Sequence, residues 1–289
     1  MFMDSRDRNS PVVVCGTEAG SDWNPKLEAQ KLWNKNPCGG QVGEYETPRE
    51  FFAAVDRERY GSYAPWLRQA INFSRFRGQR VLEIGCGMGT DLAQIASAGG
   101  NSFAIDLTVR HLEIAKRRLS LIQLGDRLVR TDAETLPFQS RSFDAVYSFG
   151  VLHHTPDIGA AIQEIRRVLR PGGTLTLAVY HRHSVFYWLF TIIGRGLIRR
   201  ELFRHGYQRL LADIEYQSQP EAVPLVRVYA RRELRRLLND FRDVHIETHH
   251  VDFGHFGYLA PLLRRVMSRG ALERYGHRWG WYVLARATL

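Results

Sequence analysis

One stretch constrains the chain more than any other: Val81 to Asp91, VLEIGCGMGTD. Val81-Leu82-Glu83-Ile84 is an apolar run closed by glycine, the pattern of a buried strand. Gly85-Cys86-Gly87-Met88-Gly89 forms a tight turn, and Thr90-Asp91 with Leu92, Ile95 and Ala96 opens a helix. Strand, glycine turn and helix N-terminus in that order let the backbone approach a nucleotide-like ligand. The competing reading is a glycine turn that serves chain geometry alone.

The details of the turn separate two ligands. A dinucleotide fingerprint wants its third glycine five residues after the first, but position 90 is Thr and the third glycine is Gly89. Glu83 stands two residues before Gly85. A carboxylate there repels a pyrophosphate and suits a ligand with positive charge and no phosphate. S-adenosylmethionine (SAM), with its sulfonium and ammonium, is such a ligand. E-x-G-x-G-x-G resembles the first motif of class I SAM-dependent methyltransferases.

The rest of the core follows in order. Ser102 to Ile105 reads as a second strand ending at Asp106, 21 residues after Gly85, where an acid can accept both ribose hydroxyls. A helix over 109–124 leads to a short strand, Leu128 to Thr131, that ends at Asp132-Ala133. Phe143 to Ser148 is the fourth strand and runs into Phe149 to His154. Asp157 caps a helix through Leu169, Pro171-Gly172-Gly173 stops it, and Thr174 to Tyr180 is the fifth strand. The strings FDAVYSFGVLHH and RRVLRPGGTLTLAVYHR closely resemble the type-11 methyltransferase group, which includes the ubiquinone and menaquinone biosynthesis enzymes. The resemblance covers about residues 78 to 181. It implies a cofactor site of Glu83, Gly85, Cys86, Gly87, Gly89, Asp106, Leu107, Asp132, Ala133 and Ser148. Asp132 would accept from the adenine amino group, and the next backbone N–H would meet a ring nitrogen.

Five strand–helix alternations and two closing strands predict an α/β fold: a Rossmann-like, seven-stranded, mainly parallel sheet with helices on both faces. The ligand belongs outside the carboxyl ends of the first strands. Around this core the chain divides into an N-terminal tail and helical segment over 1–77, the SAM-binding core over 78–182, an inserted helical cap over 183–228, and the C-terminal part of the core over 229–289. Helices are expected from Leu27 to Trp33, Pro48 to Tyr60 and Pro65 to Phe76, with a turn at Asn36-Pro37-Cys38-Gly39-Gly40. In the resembling family such segments close over the cofactor. Cys38 reads as a turn residue rather than a nucleophile. Strand six is expected over Val244 to Val251 after a helix from Arg231 to Phe241, and the last strand over Gly280 to Ala287.

The insert is apolar first, with Phe186, Tyr187, Trp188 and Phe190, then basic, with Arg195, Arg199, Arg200, Arg204 and Arg209. It reads as a lid over the acceptor or as an element docking peripherally on anionic lipid. The formal net charge of +10 favours anionic partners. Cys15, Cys38 and Cys86 have no metal-ligand spacing and suggest a reducing compartment. The longest apolar run, Val185 to Ile193, falls short of a membrane span, and the cytoplasm is the expected location.

Methyl transfer is mainly a matter of alignment, with a general base useful where the acceptor must lose a proton. His154 and His181 are the candidate bases, and His153, Tyr180, Phe186, Tyr187 and Trp188 the candidate acceptor pocket. No metal is expected, because no His-x-x-x-His with an acid partner is visible. A nucleic-acid acceptor is disfavoured: strand four ends Ser148-Phe149-Gly150-Val151, where base-directed enzymes resemble Asn/Asp-Pro-Pro-Tyr. The expected acceptor is a small or lipid-like molecule. A SAM-binding partner subunit without catalysis is the remaining alternative.

Overall fold

The structure is a computed structural model that describes residues 23–123, 127–215 and 222–289. The N-terminal tail with Cys15, and part of the insert, lie outside the described residues.

The strand around which the sheet grows is β1, Arg80–Ile84, flanked by β2 (Asn101–Asp106) and β4 (Phe143–Phe149). With β3 (Leu128–Arg130), β5 (Leu169–Tyr180), β6 (Arg242–His249) and β7 (Tyr282–Thr288), the order is β3-β2-β1-β4-β5-β7-β6. Only β7 runs antiparallel to its neighbours. This is the expected seven-stranded, mainly parallel sheet. The chain winds outward from β1 to β3, then returns to lay β4 on the other side of β1. That reversal opens a crevice beyond the carboxyl ends of β1 and β4.

Side chains alternate between two cores, as a doubly covered sheet requires. Leu82, Ile84, Val146 and Leu177 face one way, under α6 (Ile158–Val168) and α8 (Arg231–Leu237). Val81, Tyr147, Ala178 and Tyr180 face the other. There they meet Leu67 and Ile71 of α3 (Leu67–Ile71), Phe76 of the short 3-10 turn Phe73–Phe76, and Leu211 of α7 (Glu201–Ala212). Asp157 caps α6 as expected, its side chain accepting from Ala160 N–H. The remaining helices are α1 (Pro25–Lys35), α2 (Pro48–Arg57), α4 (Thr90–Ser97), α5 (Val109–Leu121), α9 (Ala260–Val266) and α10 (Arg269–Trp279).

Three local readings change. The helix expected over 65–76 is broken at Asn72, whose φ of 51° is left-handed. The helix expected over 231–241 stops at Leu237, although Phe241 still packs in the core. Pro171-Gly172-Gly173 does not separate a helix from a strand: it lies inside β5 as an irregularity, with Phe143 opposite Leu169 and Ala145 opposite Thr174. Gly172 supplies the positive φ of 77°, and the C-terminal Leu289 exchanges backbone hydrogen bonds with Gly172 (3.0 Å) and Gly173 (2.9 Å). That pairing joins residues over a hundred positions apart, so local turn signals could not show it.

After β5 the chain forms a wide-turned π-helix, Phe186–Ile198, then α7. The run from 222 to 230 returns along the carboxyl edge of the sheet. Its Arg227 N–H donates to His153 O (3.0 Å) and its Tyr229 N–H to Tyr180 O (2.8 Å). No helix among the described residues is long and apolar enough to cross a membrane.

Candidate active site

Gly85, Gly87 and Gly89 all have positive φ, at 75°, 52° and 72°. A Cβ on Gly85 would sit 2.3 Å from Val151, so packing alone demands glycine there. A Cβ on Gly87 would meet nothing within 4 Å; that glycine faces open space at the head of the crevice.

Asp106 lies against this turn at the end of β2. Its carboxylate accepts from Gly87 N–H, Thr108 N–H and Thr108 Oγ1, each at 2.9 Å, and lies 3.3 Å from His111 Nδ1. Burial would raise this carboxyl, but His111 and the backbone donors hold it below its ordinary value. The other ring nitrogen of His111 accepts from Cys38 N–H at 3.2 Å. The Asn36–Gly40 turn is thus pinned to the glycine turn through His111 and Asp106. Cys38 itself is an unpaired thiol. Sequence reasoning found Asp106 from its distance to Gly85 and missed His111, which carries no motif.

Glu83 is 4% exposed, and its Oε2 has no hydrogen-bond partner. Burial first, and Asp91 second, push its carboxyl well above the ordinary range. Asp91, also buried, accepts from Tyr60 OH (2.6 Å), Tyr147 OH (2.7 Å) and the Arg59 guanidinium. Burial alone would raise Asp91, but Arg59 and the two hydroxyls hold it below its usual value. Arg59 also lies over the Phe149 ring, 4.6 Å from its centroid. Sequence reasoning quoted Asp91 in the motif without giving it a role, and Arg59 and Tyr60 come from a helical segment with no signature. An orphaned buried acid beside an open glycine cradle fits a ligand that brings positive charge.

At the far edge, Lys26 of α1 pairs with both Asp132 and Glu134. Asp132 also accepts Glu134 N–H (2.9 Å) and Ala133 is buried beside it. Gln30 Nε2 donates to Leu107 O at 3.4 Å. Helix α1 therefore spans the carboxyl ends of β2 and β3. Ser148 is fully buried, and its hydroxyl donates to Ile84 O (3.1 Å), tying β4 to β1. Cys86 is buried too, its N–H donating to Ile105 O.

On the opposite side of the crevice, His153 and His154 follow β4 and Tyr180 ends β5. The His153 ring lies 3.7 Å from the Tyr180 ring and 4.0 Å from that of His154. His154 Nδ1 is 2.7 Å from Leu225 O on the returning run, and its Nε2 faces Glu215 Oε1 at 3.6 Å. Tyr180 OH donates to the same oxygen (2.8 Å). Burial keeps both imidazoles below their ordinary pKa, His153 strongly so. Sequence reasoning missed Glu215: it sits 61 residues after His154 in an insert with no motif.

His181 is not part of this group. Successive strand residues point to opposite faces, so Tyr180 turns toward His154 while His181 turns away. His181 Nδ1 bonds to Gly280 O (3.0 Å), and burial lowers its pKa to about 4. The three aromatic candidates also separate. Phe186 packs edge-on to Trp281, which stacks on Tyr180, so it lies one layer behind the cluster. Tyr187 is buried in the core, its OH 2.9 Å from that of Tyr207. Trp188 is 47% exposed.

Comparisons with known proteins bear on the family and the fold. The family model for the type-11 methyltransferase domain matches residues 82–177. A ubiquinone biosynthesis O-methyltransferase of Dechloromonas aromatica is 33% identical over 52% of this chain and 64% of its own length. An uncharacterized 37.1 kDa protein of transposon TN4556 from Streptomyces fradiae is 32% identical over 78% of this chain and 67% of its own. The chain thus spans just under two thirds of the first relative. A SAM-dependent methyltransferase from Mesorhizobium loti has the same fold, with a TM-score of 0.52 at 19% identity over 79% of this chain and 99% of that one. The strand order and the covered sheet define a Rossmann-like α/β protein. Residues 82–177 belong to the type-11 group of class I SAM-dependent methyltransferase domains, whose cofactor is SAM.

Proposed function

We propose that this chain transfers a methyl group from SAM to a small-molecule acceptor held between the glycine turn and the His153–His154–Tyr180–Glu215 cluster. One observation carries the reading: the glycine turn with its unpartnered buried acid Glu83 follows β1, and a cluster of polar groups suited to an ionisable acceptor follows the neighbouring strands β4 and β5. When bound, SAM supplies a methyl group already activated on a sulfonium. Everything else falls to the chain. Glu83 and the glycine turn would hold the cofactor's charged end, Asp106 and Leu107 the ribose, and Asp132 and Ala133 the base. Within that cluster His154 has its Nδ1 held by Leu225 O and its Nε2 facing Glu215 Oε1. Of the two candidate bases, geometry therefore favours His154 over His181.

The type of acceptor comes from the relative named for ubiquinone biosynthesis O-methylation, which supports a small oxygen acceptor. A lipid-like acceptor is favoured by the exposed part of the insert. Ile198 is 62% exposed and Phe203 74%, with Arg199, Arg200 and Arg204 exposed among them. Apolar side chains ringed by arginines suit contact with an anionic bilayer surface. The unpaired Cys38 and Cys86 suit the cytoplasm.

Titration calorimetry with SAM and with NAD tests the cofactor. Heat from SAM and none from NAD is expected, and the reverse would end the proposal. His154→Ala should keep the SAM heat and lose ~100-fold or more in methyl transfer. Sedimentation with phosphatidylglycerol and with phosphatidylcholine vesicles tests the membrane face, and equal recovery on both would remove it.

A further inference from the structure

We propose that His153, His154 and Glu215 form a binding site for a divalent transition-metal ion in the acceptor pocket. The inference rests on the reading of that pocket and changes one role in it: with its Nε2 on the ion, His154 is a ligand, and the ion takes over from a base the task of making the acceptor hydroxyl acidic. One donor atom from each residue lies within 4.8 Å of the others. Bonds of ~2.1 Å to a common ion need only a small inward movement of the three side chains.

Each donor is oriented from behind. His154 Nδ1 faces Leu225 O at 2.7 Å, so the proton sits on Nδ1 and the Nε2 lone pair points at Glu215. A backbone carbonyl on one ring nitrogen is how ligating histidines are commonly held. Tyr180 OH braces the Glu215 carboxylate at 2.8 Å.

His153 supplies the second, independent sign. It is fully buried, and among the described residues neither ring nitrogen has a hydrogen-bond partner. A buried polar atom without a partner destabilises the fold. An ion at one of the two nitrogens removes that deficit. Burial and the neighbouring His154 also keep the ring neutral, the form that can ligate.

Two imidazoles and one carboxylate suit Zn²⁺, Mn²⁺ or Fe²⁺ far better than Mg²⁺, which prefers an all-oxygen shell. Three protein ligands leave a position open. An acceptor hydroxyl taking that position would displace a water. Its O–H bond would break, its proton would pass to solvent, and its oxygen would stay on the ion. No electron transfer is involved.

The test uses the full chain, stripped with EDTA and dialysed against ZnCl₂, with metal content read by mass spectrometry and affinity by calorimetry. About one Zn²⁺ per chain is expected. His153→Ala and Glu215→Gln should each weaken binding by at least ~10-fold, while the exposed His205→Ala should not. Tyr180→Phe, the mildest change, should also weaken it by ~10-fold, since it removes only the brace on Glu215. Co²⁺ in the wild type should give visible absorption bands that change in Tyr180→Phe. No stoichiometric Zn²⁺, or binding that survives both His153→Ala and Glu215→Gln, would overturn the site. SAM calorimetry on the same stripped samples separates the failures. Normal SAM heat without zinc removes the ion alone and leaves a metal-free cluster, whereas absent SAM heat in the wild type removes the cofactor reading. A variant without SAM heat counts as misfolded, and Tyr180→Phe then decides.

Discussion

Asp106 has more than one duty at the scale of a single residue. The position predicts a ribose acceptor, but its oxygens also hold Gly87, Thr108 and His111. Asp106→Ala should weaken SAM binding by ~1–3 kcal/mol and, because it leaves those donors unpaired, also lower Tm. Calorimetry and thermal unfolding of one sample read both. Proton linkage is the second residue-scale consequence. His181 and His250 have pKa values lowered to about 4, and His153 lies well below its ordinary value. Between those values and an unfolded pKa of about 6.5, the unfolded chain binds more protons than the fold. Stability from these residues is therefore present above pH ~6.5 and lost as pH falls through that window. Glu83 acts with the opposite sign: its raised carboxyl favours the fold at low pH and loses that contribution as pH rises. Cation binding beside Glu83 favours its charged form, so SAM affinity should rise as pH rises through the Glu83 titration, and Glu83→Gln should flatten that rise, read by calorimetry over a pH series.

At the scale of the element, the insert divides its residues between support and surface. A purely lid-like insert would tolerate replacement of 186–205 by a flexible linker. Tyr187 argues otherwise, because it is buried in the same core as Tyr180, Leu211 and Trp281. Tyr187→Ala should cost ~3 kcal/mol of folding stability. Phe203→Glu, at the exposed face, should change stability by no more than ~0.5 kcal/mol. Chemical unfolding of the two variants checks both values. Helix α1 was legible as a shorter helix, Leu27 to Trp33, within the observed Pro25–Lys35, and its closing role was an expectation from resemblance. Its attachment through Lys26 to Asp132 and Glu134 was not legible, since it joins residues a hundred positions apart.

At the scale of the whole molecule, winding from β1 to β3 and back to β4 places one crevice between two kinds of chemistry. SAM at ~100 times its Kd should add ~2.7 kcal/mol of stability, read as a rise in Tm, and NAD at the same concentration should add none. The returning run past 222 closes this crevice on one side. Its contacts to His153 O and Tyr180 O join the insert to the sheet edge, so cap and core should unfold in one transition by calorimetry.

The sequence by itself determined what is written in local periodicity: seven strands, their glycine turn, Asp157 as a cap and Asp106 at a strand end. Each depends on residues within about twenty positions of one another. Tertiary structure alone decided the rest. It broke the helix at Asn72, carried β5 through Pro171–Gly173 by pairing with Leu289, and turned His181 away from His154 through the alternation of strand faces. It left Glu83 without a partner and brought Glu215 to His154 across 61 residues. The physical reason is common to all of these. Burial and hydrogen-bond satisfaction are settled by what packs opposite, and the residues opposite are distant in the chain.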